Sequence, residues 1–227
     1  MFKNLRLATK LLTVGCLLTV LPLLVIGGVV LYQNSQMLDV STVESTKLAY
    51  ADLDHITKNV WSMCKTQDDI LKQTLQSYLK MAQELVNRGG GFSQSSQKVK
   101  WTCQNQFSNS TDQSELPQLL FGGKWLGQVT STSQTVPVVD QLQSITGGTT
   151  CAVFQKMNGS GDMLRVATNI LNSDGSRAIG TFIPAMNTDG TRNQVVSKLL
   201  QGQSYLGRDM VAGKWQITAY RPIQDRS

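Results

Sequence analysis

"GDMLRVATNILNSDGSRAIGTFIPA", Gly161–Ala185, is the stretch on which the fold turns. It holds two short runs rich in apolar and β-branched residues, Met163–Ile170 and Arg177–Pro184, joined by a polar segment that contains Asp174-Gly175. Asp-Gly between half-buried runs is a strong hairpin signal, because both residues tolerate the positive φ of tight turns. Toward the N-terminus, "NGSGD" separates Met163 from a third run, Thr150–Met157, so a three-strand meander is predicted. Toward the C-terminus, "NQVVSKLLQG", Asn193–Gly202, has the pattern of a short amphipathic helix with Asn193 as its cap and Gly202 past its end. Two more strands follow, Ser204–Val211 and Lys214–Pro222, joined at Ala212-Gly213. Upstream, "KVKWTCQNQF", Lys98–Phe107, reads as a strand and "LPQLLFGGKWLGQV" as a segment turning at its Gly-Gly pair. "TVPVVDQLQSITGG" reads as an extended entry into a short helix that ends at Gly147. Strands, helix and strands again, with short connections, predict an α+β fold: an antiparallel sheet with flanking helices. No low-complexity tract or short-period repeat is visible.

The N-terminal part has a different texture. Leu11–Tyr32, "LLTVGCLLTVLPLLVIGGVVLY", carries no charge and is long enough to span a bilayer, for which about 20 apolar helical residues suffice. Lys3, Arg6 and Lys10 precede it and no charge follows until Asp39, so the positive-inside bias predicts a cytoplasmic N-terminus and an extracytoplasmic chain from residue 33 onward. A cleaved secretory signal is the competing reading. Its apolar region would run about 7 to 15 residues and end at a small-x-small site, and none follows Tyr32, so an uncleaved anchor is expected. From Asp39 to Arg88 there is neither proline nor glycine, and Leu53, Ile56, Val60, Met63, Leu71, Leu75, Tyr78, Ala82 and Leu85 recur at helical spacing. A long helix is predicted, ended by Gly89-Gly90-Gly91. Its apolar stripe overhangs a domain of ordinary size, which suggests a partner helix in a parallel dimer. The expected organisation is a cytoplasmic N-terminus at 1–10, a transmembrane helix at 11–32, a dimer stalk at 33–91 and a folded domain at 92–227.

Composition excludes several classes. The 21 Lys and Arg exceed the 15 Asp and Glu for a net charge of +6, and the three basic residues ahead of the membrane segment supply half of it. The exported part lacks the basic stripe with interleaved aromatics that nucleic-acid binding needs. Four cysteines without a C-x-x-C and a single histidine, His55, lack the ligand spacing of a structural zinc site, and no metal or cofactor is expected. With Cys16 in the membrane segment, Cys64, Cys103 and Cys151 are expected as buried free thiols, one disulfide being the alternative. One histidine on the long helix leaves little material for nucleophilic catalysis. "GGKWLG" lacks the G-x-x-x-x-G-K-[ST] spacing of a phosphate loop, and Asp68 and Asp69 read as a solvated helix face, so no enzyme is expected.

"LPQLLFGGKWLGQV", "VPVVDQLQSITGGTTCAVFQKMN", "GDMLRVATNILNSDGSRAIGTFIPA", "SYLGRDMV" and "WQITAYRPIQD" together resemble the periplasmic Cache sensor domain of bacterial methyl-accepting chemotaxis proteins, in particular the Cache 3/Cache 2 fusion type. The likeness runs from about Lys98 to Asp225. It implies a PAS-like sheet and a receptor in the bacterial inner membrane that binds a small molecule in the periplasm. In the family a second membrane helix carries the signal through a HAMP linker to a cytoplasmic signalling module. Relatives continue beyond "YRPIQD" into a last strand and those output parts, so a truncated receptor is expected. That strand would pair on one side with the strand near Cys151 and on the other with the strand near Trp215, leaving a marginal fold without it. A membrane-anchored ligand-binding or modulatory protein that transmits no signal is the alternative, as homodimer or as heterodimer with a related receptor through the long helix.

The resemblance also implies a ligand pocket on the inner face of the sheet. Met163, Arg165, Ala167 and Asn169 share one face of their strand and Leu164, Val166, Thr168 and Ile170 the other; alternation leaves open which looks inward. Arg165, Thr168 and Asn169 are the polar candidates there, and Tyr205, Arg208, Trp215, Thr218 and Tyr220 those on the last two strands. An arginine among aromatics suits a carboxylate, through a bidentate charge-assisted pair, so an organic acid or amino acid is the expected ligand; a surface arginine with aromatics filling the core is the alternative. Trp101 and Trp125 are expected in the core or at a dimer contact.

Overall fold

The computed structural model describes residues 7–211 and 213–223. Lys3, Arg6, Ala212 and the Gln224-Asp225 pair, all invoked above, lie outside them. The chain divides into two compact units, Met1–Thr66 and Gln67–Ser227, and helix α1 (Leu7–Arg88) contributes to both. In the first unit α1 contains a window of mean hydropathy 2.6, long and apolar enough to cross a membrane. Its later apolar positions there, Leu53, Ile56, Val60 and Met63, are exposed.

In the second unit α1 ends at Arg88, and the chain turns through Gly90 and Gly91, both at positive φ, into strand β1 (Phe92–Asn105). The elements that follow are β2 (Thr111–Phe121), β3 (Lys124–Trp125), α2 (Val139–Thr146), β4 (Ala152–Lys156), β5 (Met163–Thr168), β6 (Thr181–Ile183), α3 (Gln194–Leu200), β7 (Tyr205–Val211) and β8 (Lys214–Tyr220). Helix α2 ends where expected, with Gly147 left-handed at φ 72°. Asn193 caps α3 by accepting the N–H groups of Val195 and Val196. The α+β class and the meander β4-β5-β6 follow the sequence signals.

The sheet departs from them in two ways. It is mixed: the six-stranded order β3-β2-β1-β6-β5-β4 contains one parallel pair, β1 with β6, through Gln104–Thr181 and Asn105–Phe182. Gly180 makes that pair possible, since at its φ of 82° a Cβ would stand 2.8 Å from the Thr102 carbonyl oxygen. Strands β7 and β8 form a separate antiparallel hairpin, so the expected single antiparallel sheet is corrected to a mixed sheet plus a two-stranded one. Among the described residues β4 and β8 each pair on one side only.

A third departure concerns repetition. Leu171–Arg177, LNSDGSR, and Met186–Arg192, MNTDGTR, are two copies of one turn, which sequence reading passed over. In each copy the Asn side chain donates to the hydroxyl of the closing Ser or Thr at 3.0 Å. The Asp carboxylate takes that hydroxyl at 2.6 Å, and the Gly lies at positive φ. Each copy closes with an isolated antiparallel bridge, Leu171 to Arg177 and Met186 to Arg192.

The core gathers Trp101, Cys103, Leu116, Val136, Val139, Val153, Leu164 and Val166 with Val86 and Phe92. Trp101 is thus a core residue, whereas Trp125 on β3 is exposed. Strand β5 is buried on both faces, every residue from Leu164 to Thr168, which is why alternation could not choose between them.

Candidate functional site

The site is a cavity of about 150 Å³ in the second unit. Leu75, Tyr78, Leu79 and Ala82 from the last turns of α1 line it, together with Leu142 of α2, the start of β4, Arg165 of β5 and the Gln216–Tyr220 stretch of β8. A neighbouring cavity of about 310 Å³ shares Leu79, Cys151, Phe154 and Tyr220 with it. The walls are mainly apolar with a few polar groups, the usual character of a small-molecule pocket.

A backbone irregularity gives the site its chemistry. β4 and β5 pair regularly from Ala152–Thr168 to Val153–Ala167, then skip to Phe154–Arg165, so one extra β5 residue stands opposite β4. Such a bulge re-aims side chains on the longer strand. Here it sets Arg165 directly across from Phe154, with the guanidinium carbon 5.3 Å from the ring centroid. The Phe154 ring in turn meets Tyr220 edge-on at 6.0 Å, and Tyr220 leans on Tyr205 at 6.3 Å.

Arg165 is 2% exposed, and no carboxylate lies within ion-pair distance among the described residues. Its Nη1 donates to the Ala178 carbonyl at 3.4 Å, close to the outer limit for a hydrogen bond, and its buried Nε has no partner among the described residues. Burial pulls its guanidinium below the ordinary arginine value, while Tyr220 and Asp209 push the other way. Asp209, also buried, accepts the Tyr220 hydroxyl at 2.8 Å and the Met210 N–H at 2.8 Å. Burial raises its carboxyl above the usual range, against the hydrogen bonds from Tyr220 and Met210 and the charge of Arg165. Burial likewise raises the Tyr220 phenol, and the charge of Asp209 and its hydrogen bond add to the effect. The cavity wall therefore carries a buried cation with unfilled donor capacity, and the nearest acid is occupied by a phenol.

The eight expected site residues divide into three groups. Arg165, Thr218 and Tyr220 come together at this cavity. Tyr205, Arg208 and Trp215 line a different depression, where Arg208 lies over the Trp215 ring at 5.9 Å and Trp215 is 63% exposed. Thr168 and Asn169 line neither: Thr168 donates to the Cys151 carbonyl at 2.8 Å and accepts the Ile170 N–H. Asn169 accepts the Cys151 N–H at 2.7 Å and donates to the carbonyls of Thr149 and Val139. With those bonds made, both hold the Thr149–Ala152 wall in place rather than face a ligand.

Sequence reading missed Phe154 and the α1 residues Leu75, Tyr78, Leu79 and Ala82 as lining groups, and Asp209 as the acid behind Tyr220. A single acid on a strand beside Arg208 gives no sign that its carboxylate turns inward. It also missed the clamp behind α2, where Arg177 and Asp140 pair bidentately at 2.8 Å. Burial alone would raise the Asp140 carboxyl, but the Arg177 hydrogen bonds, the Val136 N–H and the guanidinium charge hold it below the usual range. The cysteines are all free, but Cys64 is exposed on α1, which corrects its expected burial; only Cys151 touches the cavity, and burial pushes its thiol up to about 11, away from thiolate chemistry. Among the described residues no three of His, Cys, Asp and Glu gather into a metal-binding cluster.

No curated protein and no solved structure matches the chain. Residues 39–227, in contrast, match the Cache 3/Cache 2 fusion domain. The apolar N-terminal helix ahead of such a domain fits a single-pass membrane protein. On this match over most of its length the chain belongs to the Cache 3/Cache 2 fusion domain family, whose domains sense small molecules outside the membrane by binding rather than catalysis.

Proposed function

We propose that this chain is the extracytoplasmic sensing part of a bacterial chemoreceptor of the methyl-accepting type, and that its ligand is a small organic acid or amino acid whose carboxylate meets Arg165. In this reading residues 1–10 are cytoplasmic, 11–32 cross the inner membrane, 33–91 form a stalk that pairs with a second copy or a related receptor, and 92–227 bind the ligand in the periplasm. One observation carries the ligand assignment: Arg165 is a buried cation at a cavity wall, without an ion-pair partner and with a donor unfilled among the described residues. An uncompensated buried charge is costly, and an entering carboxylate supplies the missing counter-charge in the bidentate geometry guanidinium favours. Phe154 and Tyr220 offer faces for the body of the ligand, and Thr218 and Gln216 add polar groups to the cavity wall.

The supporting role of α1 is mechanical. Leu75, Tyr78, Leu79 and Ala82 line the same cavity, so a ligand that binds one placement of this stretch better than another biases its position. The test is a thermal-shift screen of the full chain in lipid nanodiscs against organic acids and amino acids, each beside its primary amide. Carboxylates that raise the melting temperature while their amides do not support the assignment. A panel in which amides and carboxylates behave alike, or in which only cations act, overturns it.

A further inference from the structure

The two copies of the N-[ST]-D-G-[ST]-R turn use their final arginine differently. In the first copy all five donors of Arg177 are filled. Nε donates to Ser131 O, Nη1 to Asp140 Oδ1 and Thr168 O, and Nη2 to Gln134 O and Asp140 Oδ2. The acid of that turn, Asp174, takes no part, because it is engaged with Ser176; the counter-charge comes from α2, outside the turn. In the second copy Asp189 is engaged with Thr191 in the same way, yet the Arg192 side chain is exposed and has no partner among the described residues. Arg192 opens on a cleft of about 520 Å³, whose other wall carries Arg208 and Trp215 on the β7–β8 hairpin. The acids in that cleft are committed: Asp189 to Thr191, and the buried Asp209 to Tyr220 and Met210.

We propose that this cleft is a second, carboxylate-binding site, in which Arg192 takes an external carboxylate as Arg177 takes Asp140. Arg208 provides a second cation across the cleft, and the exposed Trp215 ring an apolar wall. The fork geometry selects a planar, two-oxygen acceptor over a spherical anion. The site shares no lining residue with the cavity at Arg165 and does not rest on the reading given for it. The carboxylate arises either from a free small acid or from an aspartate or glutamate presented by another chain, and the chemistry is common to both.

The experiment uses the full chain, with ¹⁵N-labelled arginine, in detergent micelles at low salt. Succinate and, separately, a tetra-aspartate peptide are titrated while the Nε–H signals of Arg192, Arg208 and Arg177 are followed. The expected result is saturable movement of Arg192 and Arg208 with Arg177 still. Arg192→Ala is expected to weaken binding about tenfold or more, the scale of one lost bidentate pair, and Arg192→Lys to weaken it less. Response to succinate assigns a free acid; response to the peptide alone assigns a carboxylate presented by another chain. An Arg192 signal that neither probe moves, or movement that Arg192→Ala does not reduce, overturns the proposal. Arg192 is exposed, so its replacement leaves the fold intact, which an unchanged melting temperature checks.

Discussion

Replacing Arg165 with methionine should make the empty protein more stable and blind to its ligand. The side chain is 2% exposed, and burying an unpaired cation costs several kcal/mol even after relaxation. Against that cost stand a 3.4 Å bond to a carbonyl and a ring contact at 5.3 Å, the latter contributing about 0.5 to 2 kcal/mol. Methionine keeps most of the packing and a favourable sulfur contact with Phe154 while removing the charge and the orphaned Nε. Apolar replacement of poorly compensated buried ions gains roughly 1 to 4 kcal/mol. Taking about 2 kcal/mol, and about 2 to 4 °C per kcal/mol for a unit of this size, the melting temperature rises by roughly 4 to 8 °C. Wild type should gain comparably from a carboxylate at a hundredfold excess over its Kd, about 2.7 kcal/mol, and the variant nothing. Differential scanning fluorimetry of both chains, with and without the acid, reads all four states. An empty variant that melts below wild type would show that Arg165 is held by contacts within the protein, and the argument from an uncompensated charge would fall.

The clamp behind α2 predicts the opposite sign: Asp140→Asn leaves Arg177 buried without its counter-charge and should cost about 3 kcal/mol, lowering the melting temperature by roughly 6 to 12 °C. Because the folded Asp140 carboxyl lies below its ordinary value of 3.8, its contribution is complete above that value and is lost as pH falls through the folded pKa, so Asp140→Asn should flatten the acid limb of a melting-temperature profile. Asp209 works the other way. Its folded pKa is raised, so stability is greatest while it is protonated and declines as pH rises from 3.8 through the folded value; Asp209→Asn should remove that decline in the same profile. Asn169→Ala strips partners from the Cys151 N–H and from the Thr149 and Val139 carbonyls, and should cost about 1 to 3 kcal/mol in chemical denaturation while leaving the ranking of carboxylate ligands unchanged.

What could be read from the chain was local. The absence of proline and glycine over Asp39–Arg88, Asn193 before "QVV", Gly147 after "SIT" and the Asp-Gly turn each act within a few residues, and each corresponds to an element found. What could not be read depends on distant partners. β1 begins at Phe92, seven residues before the apolar alternation of "VKWTC" becomes visible in sequence, because its start pairs with Leu119–Phe121 of β2. β2 contains Pro117, which argues against a strand, yet Pro117 pairs with Lys98 where the register shifts and lends its carbonyl to Gln155. The parallel docking of β6 beside β1 leaves no periodic mark at all. Among the site residues, Arg165 was legible as a polar candidate on its strand, whereas the exclusion of Thr168 and Asn169 from the cavity follows from their hydrogen bonds to the Val139, Thr149, Cys151 and Ile170 backbone, partners that no local pattern reveals.

The same physics explains why a sensor would keep so awkward a side chain. A pocket whose polar groups were all satisfied within the protein would bind a carboxylate only by breaking bonds of equal worth, and ligand and empty states would differ little. Arg165 avoids this because its donors are poorly filled beforehand, so the gain on binding is nearly the full charge-assisted interaction. Asp209 sets the threshold: it lies near enough for its charge to favour the cation, but Tyr220 and Met210 hold its oxygens, so it tempers the unpaired charge without neutralising it. Tyr220 joins the two, since its hydroxyl holds Asp209 while its ring lines the cavity beside Phe154. A ligand that displaces this ring changes the environment of acid and cation together. Tyr220→Phe should therefore alter affinity by freeing Asp209 to approach Arg165, weakening carboxylate binding although the lost hydroxyl need never touch the ligand.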